Sequence, residues 1–287
     1  MKAAAALLAL AILWTPPPAA AKEPELRVLA SFLPISLFAR NVVGKAPGVT
    51  VETMLPPALG CPHDYALTPG DMRKIARADL FLVNGRGMED FLGAPVLRAN
   101  PAVRIVETAS AVPALETPNP HTWVSPRNAI LQVRSIEQAL SAASPGNAPV
   151  FRRNADAYIG RLGALVRESD EAAGRFRNRK VVVFHNVFDY LARDLGLTIV
   201  GYVEETPGQE PSAGEVVSLV RRIRDAKAAV LLAEPQYPVR LAEMIGKEAG
   251  IPVRTLDPVA TGSLSPTAYE EAMRRNLAIL SEVLAAR

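Results

Sequence analysis

The run Val181-Val182-Val183-Phe184-His185-Asn186 decides the fold. Four apolar residues, three of them β-branched, lead straight into a histidine. An uninterrupted apolar run of this kind predicts a strand covered on both faces, as in a parallel sheet. Ligands of open α/β sheets bind just outside the carboxyl ends of the strands, so His185 stands where a ligand site would be. Two later strands end in the same manner: Ala229–Ala233 runs into Glu234, and Val253–Leu256 runs into Asp257. The chain has only two other histidines, His63 and His121. Both lie in Pro-flanked loops, Cys61-Pro62-His63-Asp64-Tyr65 and Asn119-Pro120-His121-Thr122-Trp123.

Around this strand the chain alternates strands and helices on either side of one long helical stretch. On the N-terminal side, strands are predicted over 26–30, 49–55, 80–84 and 103–107. One helix begins at Pro34 and ends near Gly44, and a short one is capped by Thr68 with Pro69 at its first position. A helix capped by Ser125 runs to about Ala143, and Ser144-Pro145-Gly146-Asn147 breaks the chain. Apolar residues at Val150, Ala155, Tyr158, Ile159, Leu162, Leu165 and Val166, then Ala172, Ala173 and Phe176, step by three and four along one helix face. Such a helix of about 27 residues would be roughly 40 Å long at 1.5 Å per residue. After 181–184 come a helix over 187–195, a strand over 198–202, a Ser212-capped helix to Ala226, a strand over 229–233, a helix over 239–249, a strand over 253–256 and a last helix from Ser265 onward. The expected fold class is therefore α/β: two lobes, each a mainly parallel sheet with flanking helices, joined by one long rigid helix, with a ligand site in the cleft between them. The divisions are 22–147 for the first lobe, 148–176 for the linking helix and 177–287 for the second lobe.

Residues 1–21 carry the zones of a secretory signal peptide: Lys2, an apolar run from Ala3 to Trp14, and Ala19-Ala20-Ala21 before an expected cleavage. The apolar run is too short to anchor a protein in a bilayer. No cysteine lies near the junction to take a lipid, so a soluble periplasmic protein is expected. Cys61 is the single cysteine and cannot form an internal disulfide, so stability must come from the core. A chain of 287 residues that is 49% hydrophobic can bury a large one. A net charge of +3 with both signs interspersed argues against a nucleic-acid partner.

Three histidines at predicted strand ends and cleft loops, with carboxylates at neighbouring ends, point to a metal site. Two imidazoles from one lobe and an imidazole plus a carboxylate from the other make a four-coordinate shell, which suits Zn²⁺ better than Mn²⁺ or Fe²⁺. Glu234, Asp257, Cys61 or a water could complete it. The carboxylates also have ordinary uses: Asp257 before Pro258 can cap a turn, and Glu234 can pair with an arginine. A zinc hydrolase with Glu234 as general base is the rival from another class, but no substrate pocket or catalytic motif is evident.

Beyond the individual residues, the chain resembles the zinc/manganese solute-binding proteins of bacterial ABC importers, the ZnuA/TroA-like family, almost end to end. Gly60-Cys61-Pro62-His63-Asp64-Tyr65, continuing through Thr68-Pro69 to Ala78-Asp79-Leu80, resembles the family's first metal-histidine block. Gly87-Met88-Glu89 is similar to the turn that follows it, and Pro120-His121-Thr122-Trp123-Val124-Ser125-Pro126 to the second histidine block. Phe184-His185 with Tyr190-Leu191-Ala192 resembles the third, and Gln209-Glu210-Pro211-Ser212 and Glu234-Pro235-Gln236 match two motifs of the second lobe. The resemblance implies metal ligands at His63, His121, His185 and Asp257. It implies Zn²⁺ as the transported ligand, with Mn²⁺ the second choice, because a histidine stands at the third ligand position. It also implies a membrane permease as partner, a binding role rather than an enzymatic one, and a monomer. Many zinc members carry a long His- and acid-rich loop before the second histidine; here Glu107 to Pro120 is short and has no histidine. An adhesin, the third reading, has against it the missing lipid-attachment cysteine.

Overall fold

The computed structural model describes residues 26–60, 62, 65–205, 208–237 and 239–285. The predicted signal segment 1–21, Cys61 and His63 lie outside the described residues. The first half holds β1 (Leu26–Ala30), α1 (Leu33–Val43), β2 (Val49–Thr53), α2 (Pro69–Arg77), β3 (Leu80–Val83), α3 (Gly93–Ala99), β4 (Arg104–Glu107) and α4 (Pro126–Ala143). Then comes α5 (Ala148–Gly174), 27 residues long. The second half holds β5 (Lys180–Val183), α6 (Asp189–Leu195), β6 (Thr198–Tyr202), α7 (Ala213–Ala226), β7 (Val230–Ala233), α8 (Val239–Ala249), β8 (Val253–Thr255) and α9 (Ala268–Leu284). Among the described residues no helix is long and apolar enough to cross a membrane.

The strands form two four-stranded, all-parallel sheets with the same internal order, β2-β1-β3-β4 and β6-β5-β7-β8. In each, the first and third strands lie side by side while the second and fourth lie outside them. That junction is a topological switch point, where a crevice opens at the carboxyl ends. The deciding run behaves as a doubly covered strand. Val181 and Val183 face the main core, and Val182 faces a smaller cluster with Leu219, Ile223, Leu231 and Ile245 under α7 and α8. Phe184 extends the pairing, its N–H donating to Leu232 O at 2.9 Å.

The main core is one continuous cluster, running from Leu26 through α1, α4 and α5 to Leu284 in α9. Nine of the eleven residues of α1 are buried, because α4, α5 and α9 all pack on it. Arg161 in α5 fixes two neighbours at once: Nε donates to Glu270 in α9 at 2.8 Å, and the guanidinium donates to Asn41 in α1 at 2.6 Å. Farther along α5, Glu168 takes a forked pair from Arg274 at 2.8 and 3.1 Å. Ser125, whose hydroxyl caps α4, also donates to Asp194 in α6.

One helix was not read from the sequence. α3 lies between β3 and β4, where Gly93 and Pro95 look like breakers. Pro95 falls in its first turn, where proline's missing N–H costs no helical hydrogen bond.

Candidate metal centre

His185 follows β5 and Glu234 follows β7, so the two flank the switch point of the second sheet. The parallel register that pairs Val183 with Leu232 brings them together. His185 Nδ1 lies 2.5 Å from Glu234 Oε1, and both side chains are fully buried. A carboxylate only accepts, so Nδ1 carries the proton and donates; the lone pair of the ring is left on Nε2. The other oxygen of Glu234 accepts from Gln236 Nε2 at 2.6 Å. Burial pushes the Glu234 carboxyl up; the hydrogen bond from His185 opposes this, and the Glu204 carboxylate adds to it. Tyr237 closes the flank, with its ring 4.8 Å from Phe184 in a stack and 5.4 Å from His185 edge-on.

His121 reaches the same point from the first half. It lies in the loop before a 3₁₀ turn, Thr122–Val124, that leads into α4. Asn84, just past β3, anchors this loop. Its Nδ2 donates to Pro120 O at 2.8 Å, and its Oδ1 accepts from Thr122 Oγ1 at 2.9 Å and Gln132 Nε2 at 3.1 Å. The His121 tautomer follows from Asn119. The amide nitrogen of Asn119 faces two acceptors, Asn186 O at 2.7 Å and Asp189 Oδ2 at 3.0 Å, so its oxygen must face His121. That oxygen accepts the His121 backbone N–H at 2.8 Å and lies 2.9 Å from Nδ1. Nδ1 is therefore the protonated nitrogen here as well. The two imidazoles meet with centroids 5.1 Å apart at 76°, and His121 packs 5.4 Å from Trp123.

Beneath them, loops from the two halves are tied directly. Trp123 Nε1 donates to Pro258 O at 2.7 Å, Tyr269 Oη donates to Trp123 O at 2.7 Å, and Gly262 N donates to Pro57 O at 3.0 Å. Asp189, which accepts from Asn119 and from Tyr202, is pushed up to about 6 by burial against those two hydrogen bonds.

Asp257 follows β8, but its carboxylate is turned toward α9 and its own turn. Oδ1 accepts from Val259 N at 2.7 Å, Oδ2 lies 3.5 Å from Arg275, and the backbone is held at both ends by Asn276. This turn holds Val259 at φ +57°, a left-handed conformation that is costly for a β-branched residue. The structure thus brings His121, His185 and Glu234 together, and the Asp257 carboxylate serves as a turn cap. Among the described residues no group of three or more His, Cys, Asp or Glu side chains is arranged to hold a metal. His63 lies outside the described residues, but the chain before it passes the site. A Cβ added at Gly60, φ +91°, would stand 3.8 Å from Gln236 Cβ and 3.9 Å from Thr261 in the second half. Gln236 and Thr261 also line a cavity of about 410 Å³ with Pro57, Ala58, Pro235 and Gly262. A larger cavity of about 560 Å³, past β6 and at the start of α7, has neither histidine in its lining.

The switch point of the first sheet holds a carboxylate of its own, Glu89. It accepts from Ser31 Oγ at 2.7 Å just past β1, and from Asn84 N at 2.8 Å and Gly85 N at 2.9 Å just past β3. Gly85, φ +83°, is required here: a Cβ would stand 2.7 Å from Glu107 Oε2. Burial raises the Glu89 pKa from 4.5 to about 7, against these three hydrogen bonds and with a smaller push from Glu107. Between those values the folded protein holds a proton that the unfolded chain has released. The contribution of Glu89 is thus fully present below pH 4.5 and is lost as pH rises through 7. The loss amounts to roughly 3 kcal/mol at 1.36 kcal/mol per pH unit. In Glu89→Gln the stability should fall less between about pH 5 and pH 8 than in the wild type, which urea titrations across that range will measure.

His121, His185 and Glu234 carry a site signal in the sequence; Asn84 and Gln236 carry none, and Asn119 a weak one. The Asn-Pro-His order was the one local signal for Asn119, since it sets an amide two residues before the imidazole.

The sequence model of the family described as "Zinc-uptake complex component A periplasmic" matches residues 28–283. Over 283 residues the chain is 29% identical to the zinc-binding lipoprotein AdcA of Streptococcus pneumoniae serotype 4, covering 90% of this chain and 56% of AdcA. It is 29% identical over 235 residues to the iron-binding protein YfeA of Yersinia pestis, covering 79% of this chain and 75% of YfeA. The chain thus spans about half the length of the first curated relatives it matches. Among solved structures, the solute-binding protein FpvC of Pseudomonas aeruginosa in complex with Mn²⁺ superposes with a TM-score of 0.82 at 29% identity, covering 91% of this chain and 98% of FpvC.

Proposed function

Because the chain belongs to the family of zinc-uptake complex component A proteins, we propose that it captures a divalent transition metal, Zn²⁺ first, and hands it to the membrane permease of an ABC importer. The observation that carries this reading is the pair of buried imidazoles in contact, each with its Nδ1 proton committed to an acceptor and its lone pair on Nε2. Metal-ligating histidines have this form: the remote nitrogen donates to a carboxylate or amide oxygen, which fixes the ring and raises its basicity. His63 is the third ligand in this reading, supported by the approach of Gly60 to Gln236. Asp257 is the fourth candidate; its Oδ1 accepts from Val259 N–H and its Oδ2 lies 3.5 Å from Arg275, hydrogen bonds of the kind a ligating carboxylate can keep. Segment 1–21 would export the chain to the periplasm, where it would work as a monomer.

The names of the relatives cover zinc, iron and manganese. Three imidazoles favour zinc over manganese, which prefers oxygen ligands. A binding role is further supported by Glu234. Both its oxygens are engaged, and it stands on the Nδ1 side of His185, behind the ring rather than beside Nε2, where a general base for a metal-bound water would be needed.

Calorimetric titration of the metal-stripped protein with Zn²⁺ and Mn²⁺ tests the reading. One tight zinc site is expected, much weaker manganese binding, and affinity that falls as pH drops, because protons compete with the metal for the imidazole lone pairs. No zinc site, or one indifferent to pH between 7 and 5, would overturn it. In the same titrations Glu234→Gln should bind zinc about 10- to 100-fold more weakly, the usual range for a partner behind a ligating histidine.

A further inference from the structure

Asn119 is buried at 4% exposure and uses its amide fully, with all four contacts on groups that matter to the site. Its oxygen accepts the backbone N–H of His121 and, at 2.9 Å, the ring Nδ1–H. Its nitrogen donates to Asn186 O, one residue past His185, and to Asp189 Oδ2 at the start of α6. The Tyr190 hydroxyl lies 3.3 Å from Asn119 O, a fifth contact from the second lobe. One amide thus sets the tautomer of an imidazole in one lobe and holds the segment that follows the other imidazole. The two ends of an amide are not independent: stronger polarisation of the oxygen makes the nitrogen a better donor. A cation on His121 Nε2 would make Nδ1–H more acidic and tighten its bond to Asn119 Oδ1. The same change would tighten the bonds to Asn186 and Asp189.

We propose that Asn119 is a positioning residue that couples occupancy of His121 to the interlobe contact with Asn186 and Asp189. The inference rests on the metal-capture reading above. It adds a route by which the loaded protein differs from the empty one, in the ordering of residues 186–189 where the two lobes meet. The fold itself need not move, since the contact is already made.

The test combines zinc titration by calorimetry with amide hydrogen exchange of the segment around 186–190 in the full chain, with and without Zn²⁺. In the wild type, zinc should slow exchange in this segment. Asn119→Ala should lower zinc affinity about 10- to 100-fold and, at saturating zinc, abolish the slowing. Asp189→Ala leaves His121 and its acceptor in place; it should cost less affinity than Asn119→Ala, reduce the slowing, and add nothing to the affinity loss when combined with Asn119→Ala. Thermal melts of the metal-free variants separate this from simple unfolding. Should Asn119→Ala fail to fold, Asp189→Ala alone decides: an undiminished zinc-dependent slowing overturns the coupling. Wild-type zinc binding with Asn119→Ala unchanged in affinity, or fully additive effects in the double variant, overturns the inference alone. Failure of the wild type to bind zinc overturns the metal reading and the inference with it.

Discussion

Replacing His185 by alanine is expected to weaken zinc binding by roughly two to three orders of magnitude. Structural zinc in four-ligand peptide sites is worth about 10–16 kcal/mol, so one ligand accounts for about 2.5–4 kcal/mol. The loss has two sources here. The cation loses an imidazole, and Glu234 loses the donor on its Oε1 and keeps only Gln236. A fully buried carboxylate short of a donor takes up a proton or costs stability, so the metal-free variant should also melt at a lower temperature than the wild type. The two sources can be told apart. Glu234→Gln keeps a ligating imidazole and should lose about one to two orders of magnitude, whereas His185→Ala should lose more. Calorimetry on both variants against the wild type makes the comparison. Equal affinity in wild type and His185→Ala would make His185 a structural histidine, and the likeness to metal carriers would then extend to the fold alone.

The largest expected effect on stability belongs to Trp123. It is fully buried, with its ring edge-on to Phe32 at 4.8 Å. Its indole N–H satisfies Pro258 O, and its own carbonyl accepts from Tyr269 Oη. Trp123→Ala removes a large side chain from packing that cannot fully collapse, at about 3–5 kcal/mol. It also strands the Pro258 carbonyl, adding about 1 kcal/mol or more. Trp123→Phe keeps much of the packing and loses the N–H, so it should cost only about 1–2 kcal/mol. Urea unfolding of the metal-free proteins will measure both; a loss below 2 kcal/mol for the alanine variant would mean that the interlobe packing is looser than described. Because His121 lies two residues away and packs on the same ring, Trp123→Ala should weaken zinc binding as well.

Much of this architecture is legible in the chain, because strands and helices follow from local pattern. The β-branched run before His185, the Thr68, Ser125 and Ser212 caps, and the three- and four-residue steps of α5 are local signals, and the elements lie where these signals put them. α3 was missed because glycine and proline serve helix starts as well as helix ends. α9 starts at Ala268 rather than Ser265, since Ser265 to Thr267 form a turn in which Ala268 N bonds Ser265 O. The shared strand order of the two sheets has no local signal, because crossovers do not show in periodicity. The site divides the same way. A histidine at a strand end can be read from the sequence. What stands behind its ring cannot, because Glu234 is 49 residues from His185 and Asn119 is 70 from Asp189. Asp257 shows the ambiguity of a carboxylate before proline: one sequence serves a ligand or a turn cap, and the conformation described here uses it as a cap.

If the chain carries metal as proposed, the unbroken core beneath α5 bears on how fast it lets go. A hinged receptor can shed its cargo by opening, because the cleft between its domains is wet and inexpensive to part. In this chain the halves share one continuous apolar core, clamped by Arg161 to α1 and α9 and by Trp123 to Pro258. Prising them apart would expose apolar surface at about 25 cal/mol per Å², so the spontaneous route out is through ligand side chains and loops. Residence time at the proposed site would then be set by the loops that carry its ligands. A permease that emptied the proposed site would need only to pull on those loops, with the rest of the molecule as the anvil against which it pulled.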